Sequence, residues 1–109
     1  METEYFGLNV STYKSVYDSG QSVIIDIENW SDVDKVVHVK PFMITEDARL
    51  VDPDVYPFNL QVLAGSKDQA IFTTGDGGDI PTPGTYYFKL EVEGEGEFFF
   101  EQGIEIGLK

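Results

Sequence analysis

The segment from Ile80 to Val92, Ile-Pro-Thr-Pro-Gly-Thr-Tyr-Tyr-Phe-Lys-Leu-Glu-Val, constrains this chain more than any other. Two prolines and a glycine force a turn, because proline fixes φ and lacks the N–H that a strand interior needs. A strict alternation follows. Tyr86, Phe88, Leu90 and Val92 take one parity; Tyr87, Lys89, Glu91 and Glu93 take the other. Successive strand side chains point to opposite faces, so this segment predicts a strand with one dry and one wet face.

The same period recurs along the chain. Phe6, Leu8 and Val10 alternate in a first strand, and Val23, Ile25 and Ile27 in a second. Tyr17-Asp18-Ser19-Gly20 separates them as a turn. The segment Lys35 to Ile44 puts Val37, Val39 and Met43 on one face. Val36, His38, Lys40, Phe42 and Ile44 take the other, so its inward side stays open. Pro41 predicts a bulge or an edge there. A polar excursion from Thr45 to Asp54 leads to Phe58, Leu60 and Val62, then to Ala70 and Phe72. Gly75-Asp76-Gly77-Gly78-Asp79 reads as a flexible loop, and Gly94-Glu95-Gly96 as a tight hairpin. Phe98, Phe100, Ile104 and Ile106 close the series on one parity, with Gly103 at a bulge. No helical period, internal repeat or low-complexity linker interrupts it. The pattern predicts an all-β, immunoglobulin-like sandwich of about seven antiparallel strands. One domain over residues 1–109 is expected, a length that holds a single core without staples.

The chain has no cysteine, which excludes disulfides, thiol catalysis and thiolate metal sites. Twenty acidic residues against seven basic ones give a formal charge of −13. Nucleic acid and anionic membrane surfaces need clustered Lys and Arg, so neither is an expected partner. No apolar run approaches the ~20 residues that span a bilayer, so no membrane insertion is expected. A basic or salt-sensitive protein partner fits the charge.

Three segments carry a family resemblance. Ser19-Gly20-Gln21-Ser22-Val23-Ile24-Ile25 with Asn29-Trp30-Ser31-Asp32, then Ile44 to Leu50, then Pro57 to Ser66, resemble successive pieces of the amino-terminal domain of periplasmic pilus-assembly chaperones. Those belong to the broader PapD-like and major-sperm-protein-like sandwiches. The resemblance implies the sandwich fold and a protein-binding role. The chaperones have two domains and anchor a subunit carboxylate with an Arg and a Lys. Here Lys14 stands near the first of those positions and no residue matches the second. A looser resemblance, through the Leu-Ala-Gly-Ser turn and the Pro-Gly-Thr-Tyr strand, is to bacterial intracellular proteinase inhibitors of the BsuPI type.

The leading candidate site is the row Glu91, Glu93, Glu95 and Glu97, continued by Glu101, with Phe99 and Tyr87 on the same parity. An apolar ring inside an acidic rim is how recognition patches are built. The expected binding residues are therefore Phe99, Tyr87, Glu91, Glu93, Glu97 and Glu101. Asp52, Asp54, Asp76 and Asp79 offer oxygens to calcium but lack the spacing of a known calcium loop, so no metal is assigned. His38, the single histidine, has no second His or Cys for a metal site or triad. Trp30, Tyr13, Tyr17 and Tyr56 would form a sugar platform if they converged. Asn9-Val10-Ser11 and Asn29-Trp30-Ser31 match the glycosylation acceptor pattern.

With no nucleophile–base pair in view, an enzyme is not expected, nor is a cofactor. The expected function is a non-catalytic protein-binding or structural module, extracytoplasmic (periplasmic or at the cell surface). It would contact its partner through the acidic sheet face or an edge strand. Met1 as a native start would instead place it in the cytoplasm. The alternatives are an inhibitor of an intracellular serine protease, of the BsuPI type, and a carbohydrate-binding module.

Overall fold

The computed structural model describes residues 2–52, 55–100 and 103–107. Eleven strands follow one another with no helix among the described residues. They are β1 (Glu2–Tyr5), β2 (Leu8–Thr12), β3 (Val16–Tyr17), β4 (Ser22–Asn29), β5 (Lys35–Ile44) and β6 (Leu50–Val51). The others are β7 (Phe58–Val62), β8 (Lys67–Thr73), β9 (Gly84–Val92), β10 (Gly96–Phe99) and β11 (Ile104–Ile106). One sheet has the order β1-β2-β4-β8. The other runs β3-β11-β9-β5-β6, with β10 also on β9 and β7 also on β5. Consecutive strands switch sheets from β2 to β3, from β3 to β4, from β4 to β5, from β7 to β8 and from β8 to β9. This is the crossing connectivity of an immunoglobulin-like sandwich.

The strand count exceeds the expected seven for local reasons. Phe6, expected inside the first strand, instead sits with Gly7 in the β1–β2 turn, both at positive φ (53° and 74°). That turn lets Glu2–Tyr5 fold back as β1, with Tyr5 opposite Leu8. Tyr17, read as the start of a turn, instead joins Val16 in β3, which adds to β11 in parallel. The expected last strand divides into β10 and β11. Phe100 N–H bonds Phe88 O, whereas Ile104 stands opposite Tyr86. Phe100 and Ile104 are four positions apart and Phe88 and Tyr86 two, so both keep the inward parity. At Gly103, just before β11, a Cβ would come within 3.0 Å of the Thr85 methyl.

The parities sort as the alternation predicts. Tyr86, Phe88, Leu90, Val92, Val23, Ile25 and Ile27 are all buried, as are Phe98, Phe100, Ile104 and Ile106. β5 turns Val37 and Val39 inward, which settles its two-sided pattern. Pro41 lies where the pairing with β7 has ended at Val39 and that with β6 has not begun at Met43. On that side β5 is locally an edge, where proline's missing N–H is tolerated. Phe72 of β8 bridges the layers. Its ring is 5.4 Å from Phe88 and 6.1 Å from Phe58 of the opposite sheet. Each of these fully buried side chains contributes on the order of 1.5–3 kcal/mol by leaving water.

The Pro-Gly-Thr-Tyr motif has a specific structural job. The buried Tyr86 sends its hydroxyl back to donate to Thr82 O, four residues upstream. A tyrosine at the start of this strand, bonded to the preceding corner, is a hallmark of immunoglobulin-like sandwiches. The Asp/Gly loop is closed rather than open. The Asp79 carboxylate accepts from Thr73 N–H (2.9 Å) and Thr73 Oγ (3.0 Å), and Thr74 bridges to Ile80.

Candidate functional site

Outward parity on β9, β10 and β5 assembles one face of the larger sheet. The register sets Glu97 opposite Glu91 and Phe99 opposite Lys89. On the other side of β9, Glu91 faces His38, Lys89 faces Lys40, and Tyr87 faces Phe42. Phe99 is 38% exposed, and its ring meets Phe42 edge-on at 5.9 Å. Lys89 and Lys40 hold their ammonium groups 5.3 and 5.8 Å from the Phe42 ring. Tyr87 is half-buried beside them. Three aromatic rings thus share one face. Phe42 was not among the expected site residues; its parity with His38 and Lys40 in the sequence was the available signal.

The charges around the rings are mixed rather than purely acidic. Lys89 pairs with Glu97 at 3.4 Å, diagonally across the β9–β10 pair. Lys40 pairs with Asp52 at 3.1 Å. His38 places Nε2 2.7 Å from Glu93 Oε2 and Nδ1 2.5 Å from Asn59 Oδ1. Each ring nitrogen thus faces a side-chain oxygen, which favours the protonated imidazole. The Asn59 contact, then the Glu93 carboxylate, raise the His38 pKa above its usual 6.5. His38, Lys40, Pro57, Lys89 and Glu91 line a shallow depression of about 250 Å³ in this face.

The acidic row does not continue unbroken through the hairpin. Glu95 turns away and pairs with the buried Lys35 at 2.6 Å. Glu91, Glu93 and Glu97 remain exposed, and Glu101 lies outside the described residues. Asp54 also lies outside them, Asp52 faces Lys40, Asp79 is bonded to Thr73, and Asp76 is exposed in its turn. Among the described residues no three His, Cys, Asp or Glu side chains come together as a metal site.

The other aromatic candidates are dispersed. Tyr17 is buried. The Trp30 N–H bonds Gly7 O just before β2, whereas Tyr13 follows the far end of that strand. Tyr56 precedes β7, also at the far end from Trp30. They form no common platform for a sugar. Asn29 is fully buried and its amide is bonded, so the folded chain does not offer it as a glycosylation acceptor. Lys14, at the position resembling a chaperone anchor, donates to Gln21 Oε1 at 2.8 Å and lies over the Tyr17 ring.

No protein-family model matches the chain, and no curated protein matches it. Among solved structures it is similar to the ASH / PapD-like domain of human CEP192 (PapD-like domain 7). The identity is 11%, the match covers 92% of this chain and 83% of that chain, and the TM-score is 0.49.

Proposed function

We propose that this protein is a non-catalytic protein-binding module whose partner docks on the outer face of the larger sheet, over Phe99. The observation that carries this reading is the exposed Phe99 ring, held edge-on by Phe42 with Tyr87 next in register. A large ring kept partly in water, yet fixed by a neighbour, loses little freedom when a partner covers it. Glu91, Glu93 and Glu97 at its rim favour a basic partner and speed its approach, while Lys89 and Lys40 fix its register.

The test is capture from the native host at low and at high salt, with wild-type protein and Phe99→Ala side by side. Retention by the wild type, weakened by salt and lost in Phe99→Ala with the fold intact, is the expected result. An unchanged capture pattern removes Phe99 from the site. A loss of several kcal/mol in the stability of Phe99→Ala would make the ring a core element and sink the reading.

A further inference from the structure

We propose a second docking surface, at the end of the sandwich away from β6, where Trp30 anchors a basic polypeptide segment. Four connections meet at that end: the β1–β2 turn, the β4–β5 loop, the β7–β8 turn and the β9–β10 hairpin. The register shows this, since Leu8 faces Asn29, Lys67 faces Glu28, Val62 faces Lys35, and Val92 faces Gly96.

This end presents exposed apolar side chains on a well-fixed backbone. Trp30 is 66% exposed, with Val33 at 55% in the same loop and Leu63 at 52% in the β7–β8 turn. An exposed tryptophan on a floppy loop would be unremarkable, but this loop is pinned from beneath. The buried Asn29 amide donates to Val33 O (2.8 Å) and Val62 O (3.0 Å). Its Oδ1 accepts from Ser31 N–H (2.9 Å) and Ser31 Oγ (2.7 Å). Trp30 N–H itself bonds Gly7 O at 2.8 Å. Asp34 ties the loop to the neighbouring turn by accepting from Ala64 N–H at 2.9 Å. A rigid backbone that presents a tryptophan to water has already lost the freedom that binding would otherwise remove.

Charge selects the occupant. Of the cations at this end, Lys35 is buried and ion-paired with Glu95, and the exposed Lys67 stands opposite Glu28 in the β4–β8 register. Asp32 is exposed beside Trp30, and Asp34 is exposed two residues on. Indole is the best aromatic partner for a guanidinium or ammonium group, and flanking carboxylates strengthen that choice. The fitting ligand is therefore a segment of protein in which Arg or Lys alternates with apolar side chains.

Trp30 is the single tryptophan, so its fluorescence reports this surface alone. The probes are three synthetic twelve-residue peptides that alternate Leu with Arg, with Ser or with Glu, titrated at physiological salt. The Arg peptide should perturb Trp30 emission and bind by calorimetry. Its affinity should fall at least tenfold in Trp30→Ala and severalfold in Asp32→Lys, and should hold in Phe99→Ala. That last comparison separates this surface from the sheet face above. Three results overturn the proposal: no binding of the Arg peptide, undiminished binding to Trp30→Ala, or equal binding of the Glu peptide. Sedimentation of the free protein supplies a fourth. A dimer that Trp30→Ala dissolves would show that a second copy of the chain, not a basic segment, covers this end.

Discussion

Replacing Asn29 by Ala tests how much of one end of this sandwich hangs on a single buried amide. An amide can make four hydrogen bonds, two as donor and two as acceptor. Asn29 makes all four, to Val33 O, Val62 O, Ser31 N–H and Ser31 Oγ, with its side chain fully withdrawn from water. A typical hydrogen bond contributes ~1 kcal/mol net, and a buried group left unpaired costs ~1–3 kcal/mol. The Val62 carbonyl is buried, whereas the Ser31 groups and Val33 O lie closer to solvent and recover water. The sum for Asn29→Ala is therefore about 2–4 kcal/mol. In a domain of this size about 1 kcal/mol moves the melting midpoint by ~4 °C, so the expected drop is about 8–16 °C.

Asn29→Asp sharpens the test. It keeps the shape but replaces the donating nitrogen with an oxygen facing two carbonyls. Burial raises the folded-state pKa of such a carboxyl above its unfolded value, ~3.9. The deficit of the Asp variant should then grow as pH rises past about 4, since the unfolded state ionises more readily. Far-UV circular dichroism melts at several pH values measure both. Asn29→Ala melting within ~2 °C of wild type would refute the reasoning, and so would an Asp variant whose deficit ignores pH.

Other outcomes follow from the same geometry. Leu90→Ala, fully buried between the sheets, should cost ~2–5 kcal/mol in denaturant melts. Lys89→Ala, its outward neighbour, should cost under ~1 kcal/mol; equal effects would contradict the parity. Glu95→Ala should destabilise by roughly 1–3 kcal/mol, less than a fully buried pair because Glu95 is 36% exposed, with Lys35→Met recovering part of the loss. His38, with its pKa raised by Asn59 and Glu93, contributes stability that is fully present below the unfolded value near 6.5. That contribution is lost as pH rises through the folded value, so wild type minus His38→Gln should shrink across that window in pH-dependent melts.

The strands were legible because burial imposes a period of two, and Tyr86 to Val92 or Val23 to Ile27 show it without interruption. Two-residue strands carry no period, which is why β3 and β6 left no trace in the sequence. β1 was hidden differently: Phe6 extends the alternation of Leu8 and Val10, yet it occupies a turn because Gly7 follows it at positive φ. The sheet face was legible in part. Parity placed Phe99, Tyr87, Glu91 and Glu97 together, since that relation is local. The cross-strand partners Phe42, Lys40 and His38 depend on the register between β5 and β9, which no local pattern specifies. Asn29 was visible only within the family resemblance and a glycosylation pattern. Its four bonds reach Val62 across 33 positions, and such long-range satisfaction of a buried amide has no signature in the neighbouring residues.

The β9–β10 hairpin explains why charge counted along the sequence misleads about charge in space. Glu93 and Glu95 flank Gly94 in a three-residue turn, closed by Glu95 N–H bonding Val92 O. Gly94 takes φ 78°, a conformation glycine adopts without strain, and the chain reverses there. The reversal sends the two carboxylates to different places. Glu93 reaches His38 on the outer face of the sheet, whereas Glu95 closes over Lys35 at the end of the core. An alternating row of four glutamates therefore becomes a pair at Glu91 and Glu97, one histidine partner and one partner for a buried lysine. Like charges directly opposite one another are unfavourable, and Lys89 offsets the Glu91–Glu97 pair by bridging to Glu97. On that face Glu97 already has Lys89 within reach and Glu93 has His38, beside the rings of Phe99 and Phe42. If a partner docks there as proposed, recognition would turn on the aromatic rings, with charge setting orientation and rate.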